Sequence, residues 1–209
     1  RVVHLQPLTW KDNWPVIGRV PQRGYCGTPY LSYRKPKAES RLIVTPQESD
    51  SFNLPRLGRQ WQWQANYNPS FGMPTSLGFF RLYTYKTNDN FWNVPNLLLQ
   101  KTPADCFTVT AKLTLVSKAE GQLGGLIMMG LDYSSLVVKR VGDGFVLQQM
   151  TCRNADKGGA GTVTPLAHLA KTGQDDNDYQ FAIYEEVFLQ MKVDGGIVRF
   201  AFSRDGKHF

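Results

Sequence analysis

Apolar and polar residues alternate along the stretch 107–115, and this period of two constrains the fold more than any other sequence feature. The apolar positions are Phe107, Val109, Ala111, Leu113 and Leu115. Three threonines and one lysine lie between them. Because successive side chains of a β-strand point to opposite faces, the pattern predicts a strand with one buried and one solvated face.

Two longer stretches are interpreted as β-hairpins. Residues 187–202 form two apolar runs around Asp194-Gly195-Gly196, and residues 136–150 form two runs around Gly142-Asp143-Gly144. Asp-Gly and Gly-Gly pairs favour the tight turns whose twist matches that of a hairpin. We therefore expect neighbouring antiparallel strands in both places.

The stretch 123–130 is apolar at nearly every position, which predicts a central strand that is covered on both faces. No stretch of ten or more residues shows the 3.6-residue apolar spacing of an amphipathic helix. The 19 glycines and 12 prolines indicate frequent turns. Many short strands with turn signals every ~8 to 12 residues predict an all-β fold, an antiparallel β-sandwich.

Composition excludes several classes of protein. With 209 residues, 42% of them hydrophobic and 20% charged, the chain has enough apolar material for one large packed domain or slightly more. The net charge of +7 permits a polyanionic partner, but the longest basic run is Arg34-Lys35, so we expect no nucleic acid partner. The longest nearly apolar run, 123–131, is about half of a bilayer span, and no membrane partner is expected.

No metal or cofactor is expected either. The three cysteines, Cys26, Cys106 and Cys152, are far apart and lack metal-ligand or CxxC spacing. One disulfide with one free thiol is an alternative, but three buried thiols are favoured. The cluster Asp175-Asp176-Asn177-Asp178 suggests a calcium loop or a carboxylate pair, but consecutive side chains in a polar loop point apart, which favours a solvated loop.

The two ends of the sequence suggest a piece of a longer polypeptide. Arg1 is not preceded by a methionine or a signal peptide. At the other end, Phe209 follows soon after Asp205-Gly206, where the returning strand of a hairpin is expected to begin. We expect a chain cut on both sides, with a sandwich truncated at its C-terminus.

Several motifs then carry a family resemblance. Residues 1–10, 13–18 and 27–29 resemble the end of the catalytic propeller in family 43 glycoside hydrolases. Four further stretches resemble the concanavalin A-like β-sandwich that follows the propeller in β-xylosidases and related enzymes. They are residues 61–66, 97–101, 125–133 and 193–195.

This resemblance implies an organisation and a function. The organisation is a remnant of a five-bladed β-propeller over 1–36, a linker over 37–54 and a jelly-roll type sandwich over 55–209. The parent chain would hydrolyse O-glycosyl bonds in xylan or arabinoxylan. Its partners would be a xylo- or arabino-oligosaccharide and the propeller of the same chain, and an extracellular or periplasmic location is favoured.

The resemblance assigns no catalytic residue to these 209 positions. Inverting glycosidases, the class that it implies, need two carboxyl groups ~6.5 to 9.5 Å apart, and in this family both lie on the propeller. Asp12 is the one acidic residue among residues 1–36. Arg1 falls where the family places an arginine that lines the sugar pocket, so it is a candidate substrate-binding residue. The alternative is an ordinary strand arginine.

Trp61 and Trp63 are the other candidate substrate-binding residues. At positions i and i+2 they share one face of a strand, where they could form a platform for a sugar ring or fill a core or domain interface. Packing is favoured over a platform. Buried rings would indicate an accessory sandwich of a glycosidase, whereas an exposed coplanar row would indicate an independent carbohydrate-binding module or lectin-like sandwich.

Overall fold

The computed structural model describes residues 4–34, 45, 47–86, 90–175 and 182–209. The chain divides into two compact units, residues 1–45 and residues 46–209, each of which is described by itself. The described residues form fourteen β-strands: β1 Leu8–Lys11, β2 Trp14–Ile17, β3 Gln62–Trp63, β4 Gly72–Pro74, β5 Phe80–Leu82, β6 Leu98–Leu99, β7 Cys106–Ser117, β8 Leu123–Met128, β9 Tyr133–Val141, β10 Gly144–Cys152, β11 Gly161–Leu169, β12 Gly173–Asp175, β13 Ala182–Asp194 and β14 Ile197–Ser203. The helices among them are three short 3-10 helices, Pro69–Phe71, Phe91–Asn93 and Ala155–Lys157.

The first unit is organised by the antiparallel hairpin of β1 and β2. Its two turn residues, Asp12 and Asn13, have positive φ angles of 51° and 64°, a backbone conformation that short polar side chains tolerate best. Asp12 is therefore explained as a turn residue. Val16 is fully buried, and the ammonium group of Lys11 donates to the carbonyls of the loop that follows β2.

Residues 46–209 contain two four-stranded antiparallel sheets. The first has the order β8-β9-β10-β11. In the second, β7 pairs along one edge of β13, and β12 and β14 pair with the two ends of its other edge. The predicted strand at 107–115 lies in β7, and the predicted hairpins are β9–β10 and β13–β14, so all three are confirmed.

The two sheets pack face to face around one apolar core. Its buried members come from both sheets: Leu115, Leu136, Val138, Phe145, Leu147, Leu169, Val187 and Leu189. Removing a side chain of this size from water stabilises the fold by about 1.5–3 kcal/mol. The prediction of an all-β antiparallel sandwich is confirmed.

A second apolar cluster covers the outer face of the first sheet. Its buried members are Phe91, Val94, Tyr133, Val137, Met150, Cys152 and Ala155. The hydroxyl of Tyr133 accepts a hydrogen bond from the backbone N–H of Phe91 at 3.2 Å, which fixes the 3-10 helix to the sheet. The first sheet is thus covered on both faces.

This cluster explains why the prediction of a central strand at 123–130 was wrong. In the described part of the chain β8 pairs with β9 alone and lies at the edge of its sheet. Leu126 packs into the core between the sheets, whereas Leu123 and Ile127 pack against the second cluster. Both faces of β8 are apolar because both are covered, not because it has two strand neighbours.

The expectation of three buried thiols was wrong for two of the cysteines. All three are free, and only Cys152 is buried, with its thiol donating to the carbonyl of Gly159 at 3.1 Å. Cys106 is exposed because it is the first residue of β7, and Cys26 lies in an exposed loop of the first unit.

The described residues also bear on metal binding and on insertion into a membrane. They contain no group of three or more His, Cys, Asp or Glu side chains that could hold a metal ion. The side chains of the predicted solvated loop at 175–178 lie outside the described part of the structure. No helix in the described part is both long enough and apolar enough to cross a membrane.

Candidate functional site

The two candidate tryptophans lie in a group of aromatic rings, here called the aromatic cluster. Trp63 lies on β3, which pairs with β6, and Phe80 lies on β5, which pairs with β4. Loops and one 3-10 helix supply the other rings. The members are Phe52, Trp61, Trp63, Tyr67, Phe71, Phe80 and Tyr85.

Trp61 is held by a carboxylate and by a stacked ring. Its indole N–H donates to Oδ2 of Asp50 at 2.8 Å, and its ring stacks on Phe52 with centroids 5.4 Å apart and 29° between the planes. Phe52 has a φ angle of 54°, which is unusual for a bulky residue. The other oxygen of Asp50 accepts the backbone N–H of Phe52 at 2.8 Å and compensates for this strain.

Trp63 is surrounded by three tilted rings. The centroids of Phe71, Tyr67 and Phe80 lie 5.6, 6.0 and 6.1 Å away, with interplanar angles of 57°, 35° and 52°. Both tryptophans are half-buried, and Phe52 and Phe80 join them into one cluster. The rings therefore do not form an exposed coplanar row.

Of the predicted site residues, the structure brings Trp61 and Trp63 together, and Arg1 lies outside the described residues. Sequence reasoning missed Asp50 and Phe52, which it placed in a linker. The spacing of an Asp two residues before the residue whose N–H it binds is a known turn signal and could have indicated an ordered segment.

The stretch 67–85, which supplies four rings of the aromatic cluster, also exposes much apolar surface. Its exposed apolar or aromatic side chains are Tyr67, Met73, Leu77, Phe79, Leu82, Tyr83 and Tyr85. Leu77 is the extreme case, with 79% of its surface exposed. Side chains of this kind, when they occur together on a surface, mark places where another protein or domain packs.

The contribution of the hydrogen bond between the Trp61 indole and Asp50 can be measured by substitution. We expect Trp61→Phe to lower the free energy of unfolding by about 1–2 kcal/mol more than Trp63→Phe. Both changes shorten a half-buried aromatic side chain, but only the first removes a described indole hydrogen bond, the one to Asp50. Urea denaturation followed by circular dichroism measures the difference, and equal losses would contradict the assigned role of Asp50.

A buried carboxylate lies elsewhere, at one end of the core between the sheets. The side chain of Glu185 on β13 is fully buried. Its Oε2 accepts the hydroxyl of Thr172 at 3.0 Å, and its Oε1 lies 3.2 Å from the Arg204 guanidinium without a hydrogen bond. Burial raises the pKa of Glu185, while the Thr172 hydrogen bond and the Arg204 charge oppose this effect.

Glu185 does not form the carboxyl pair of a glycosidase. Its side chain is fully buried, so a polysaccharide cannot reach it, and its described side-chain partners are a threonine and an arginine. The pKa of Asp205 is shifted in the opposite direction. Hydrogen bonds from the backbone N–H and ring of His208, the backbone N–H of Lys207 and the hydroxyl of Ser203 hold its pKa well below the usual range. That network stabilises a turn and leaves the carboxylate unsuited to act as an acid.

Fold and site together define a class: an antiparallel β-sandwich with a braced aromatic cluster and a buried carboxylate that is held by a threonine and an arginine. Residues 49–209 match the model of the beta xylosidase C-terminal concanavalin A-like domain. The chain belongs to this family, the C-terminal domain of family 43 glycoside hydrolases of the xylosidase and arabinofuranosidase type. The resemblance to the concanavalin A-like sandwich of family 43 enzymes is confirmed.

Individual relatives agree with this assignment. The chain is 27% identical to a β-xylosidase of Formosa agariphila over 157 residues, which are 65% of this chain and 26% of the relative. It is 26% identical to a non-reducing end α-L-arabinofuranosidase of Bacteroides ovatus over 163 residues, 74% of this chain and 29% of the relative. The chain thus spans between a quarter and a third of these curated relatives.

A solved structure supports the fold. A mutant of the family 43 protein BlXynB from Bacillus licheniformis superposes with a TM-score of 0.62 at 19% identity. The match covers 97% of this chain and 36% of that protein.

Proposed function

We propose that this chain is the accessory C-terminal sandwich of an enzyme that hydrolyses O-glycosyl bonds in xylan or arabinoxylan. The match of residues 49–209 to the C-terminal domain family carries the proposal. The names of the relatives, β-xylosidase and arabinofuranosidase, give the substrate class. In this proposal the sandwich holds the catalytic propeller and helps to shape the sugar pocket.

The proposed domain organisation is a propeller end at 1–36, a linker at 37–54 and the sandwich at 55–209. One face of the β1–β2 hairpin supports the first assignment. Leu8 pairs with Ile17 and Trp10 pairs with Pro15, so these four side chains share a face, and all four are exposed. A sheet with such a face is expected to pack against further protein, as a propeller blade does.

The aromatic cluster supports the accessory role over an independent binding module. A module that binds polysaccharide by itself would present an exposed row of coplanar rings. Trp61 and Trp63 are instead half-buried, the first stacked on Phe52 and the second among tilted rings. We propose that Arg1, Trp61 and Trp63 are, each separately, substrate-binding residues in the longer polypeptide. The exposed apolar side chains at 67–85 are proposed to contact its catalytic domain.

The 209-residue chain alone should not hydrolyse aryl β-xylosides or aryl α-L-arabinofuranosides, because the family resemblance places both catalytic carboxyl groups on the propeller and its buried carboxylate, Glu185, is held by a threonine and an arginine. The polypeptide encoded by the longest open reading frame that contains this sequence should hydrolyse one of these two substrate classes. Release of nitrophenol from each substrate measures both activities against a buffer blank.

Two results would contradict the proposal. One is turnover by the 209-residue chain that survives repurification, and the other is a folded longer polypeptide that is inactive on both substrate classes.

In an active longer polypeptide, Trp63→Ala should raise KM if the ring contributes to the sugar pocket. Asp143→Asn, in the exposed turn between β9 and β10, is the control and should change neither KM nor kcat.

A further inference from the structure

An open cleft of about 440 Å³ lies at one end of the sandwich, where β7 begins and β13 turns into β14. Phe107 and Val193, which are paired in register on β7 and β13, form its floor. The segment at 102–105 and the turn glycines Gly195 and Gly196 form its walls. Its volume falls within the range of small-molecule sites, about 300–1,000 Å³.

The walls of the cleft are tied to each other. The backbone N–H of Gly195 donates to the carbonyl of Asp105 at 3.2 Å. Beside this bond, the thiol of Cys106 donates to Oδ1 of Asp194 at 3.4 Å, across a pair that is also in strand register. Both turn glycines have positive φ angles, 54° and 91°. The hairpin therefore makes a tight turn in a backbone conformation that is strained for most residues other than glycine. The cleft is therefore formed before any ligand arrives.

The chemistry of the cleft combines an apolar floor with a polar rim. Val193 is only 7% exposed and Phe107 is half-buried, which leaves part of the Phe107 ring accessible. At the rim, Thr102 offers a hydroxyl group and Asp105 offers a carboxylate, and both residues are exposed. Neither lysine nor arginine is among the lining residues.

These groups select among classes of ligand. An anion would be repelled by Asp105, and a purely apolar ligand would leave the rim without partners. A neutral pyranose ring has an apolar face for Phe107 and hydroxyl groups that can donate to Asp105 and exchange hydrogen bonds with Thr102. We propose that the cleft binds one or two neutral pyranose units of the xylan-type polysaccharide, as a second saccharide site. This inference rests on the proposed function for the identity of the sugar.

The test is an NMR titration of the ¹⁵N-labelled 209-residue chain with xylotriose. We expect fast-exchange shifts at the amides of Cys106, Gly195 and Gly196, with a dissociation constant on the order of 1 mM for so small a site. Asp105→Asn and Phe107→Leu should each weaken binding about fivefold or more, since the first removes a charged acceptor and the second removes the ring face. Asp143→Asn is the matched control and should leave the affinity unchanged.

Several outcomes would overturn the inference. They are the absence of shifts at the cleft, shifts confined to the aromatic cluster, and an unchanged affinity in Asp105→Asn. Glucuronic acid and glycerol are the comparison ligands, and an equal response to either would also exclude a site for neutral sugars. Because this readout does not use hydrolysis, an inactive longer polypeptide with a binding cleft, or an active one with a silent cleft, separates this inference from the proposed function.

Discussion

Alanine at position 125 should destabilise the sandwich by about 1–3 kcal/mol, whereas alanine at position 124 should be neutral or slightly stabilising. Both glycines lie on β8, next to each other. A Cβ atom on Gly125 would overlap the carbonyl oxygen of Leu136 and lie 2.7 Å from the Cα of Val137. These are backbone atoms of β9, so the two strands would have to separate for the methyl group to fit.

Gly124 is a control on the same strand. A Cβ atom there would lie 3.8 Å from methyl groups of Leu113 and Leu115, which is ordinary van der Waals contact. Alanine also restricts the unfolded chain, a gain of about 0.4–1 kcal/mol where the native backbone accepts it. Thermal and urea denaturation of both variants measures the contrast, and similar stabilities would show that the strands do not approach this closely.

The strands could be predicted from the sequence because the burial difference between the two faces of a sheet appears directly as alternation. β7 and the hairpins β9–β10 and β13–β14 follow this rule. The place of β8 in its sheet could not be predicted, because its second apolar face is covered by the segment around Phe91, more than thirty residues earlier. An apolar run records burial and not the number of strand neighbours.

The candidate site was predicted less completely, again for reasons of distance and local geometry. The spacing of Trp61 and Trp63 predicts a shared strand face, but it does not predict the rings that brace them. Phe52 reaches Trp61 only through a left-handed backbone conformation that Asp50 stabilises. Beside the cleft at the end of the sandwich, the thiol of Cys106 forms a hydrogen bond with Asp194, which lies 88 positions away in the sequence. No local sequence pattern indicates such a pairing.

The stability of Glu185→Gln relative to the natural protein should depend on pH, and the variant should be the more stable of the two at neutral and higher pH. Burial raises the folded-state pKa of Glu185 above its ordinary value of 4.5. The folded protein therefore holds this proton more tightly than the unfolded chain does. The stability that the protonated group contributes is complete below about pH 4.5 and is lost as pH rises towards the folded-state pKa. Glutamine cannot ionise and escapes this loss.

The stability difference should grow by about 1.4 kcal/mol for each pH unit between the unfolded and folded pKa values and then level off. The plateau should favour the variant, since neutral replacement of a buried charge is often stabilising and Arg204, which is half exposed, stays hydrated without its partner. Urea denaturation from about pH 4 to about pH 8 measures the curve. Glu186→Gln is the matched control, because Glu186 is partly exposed on the opposite face of β13 and pairs with Lys112, an ion pair worth at most about 1 kcal/mol. A difference for Glu185→Gln that is flat over this pH range, or that matches the curve for Glu186→Gln, would show that burial does not raise the pKa of Glu185 and would contradict this prediction.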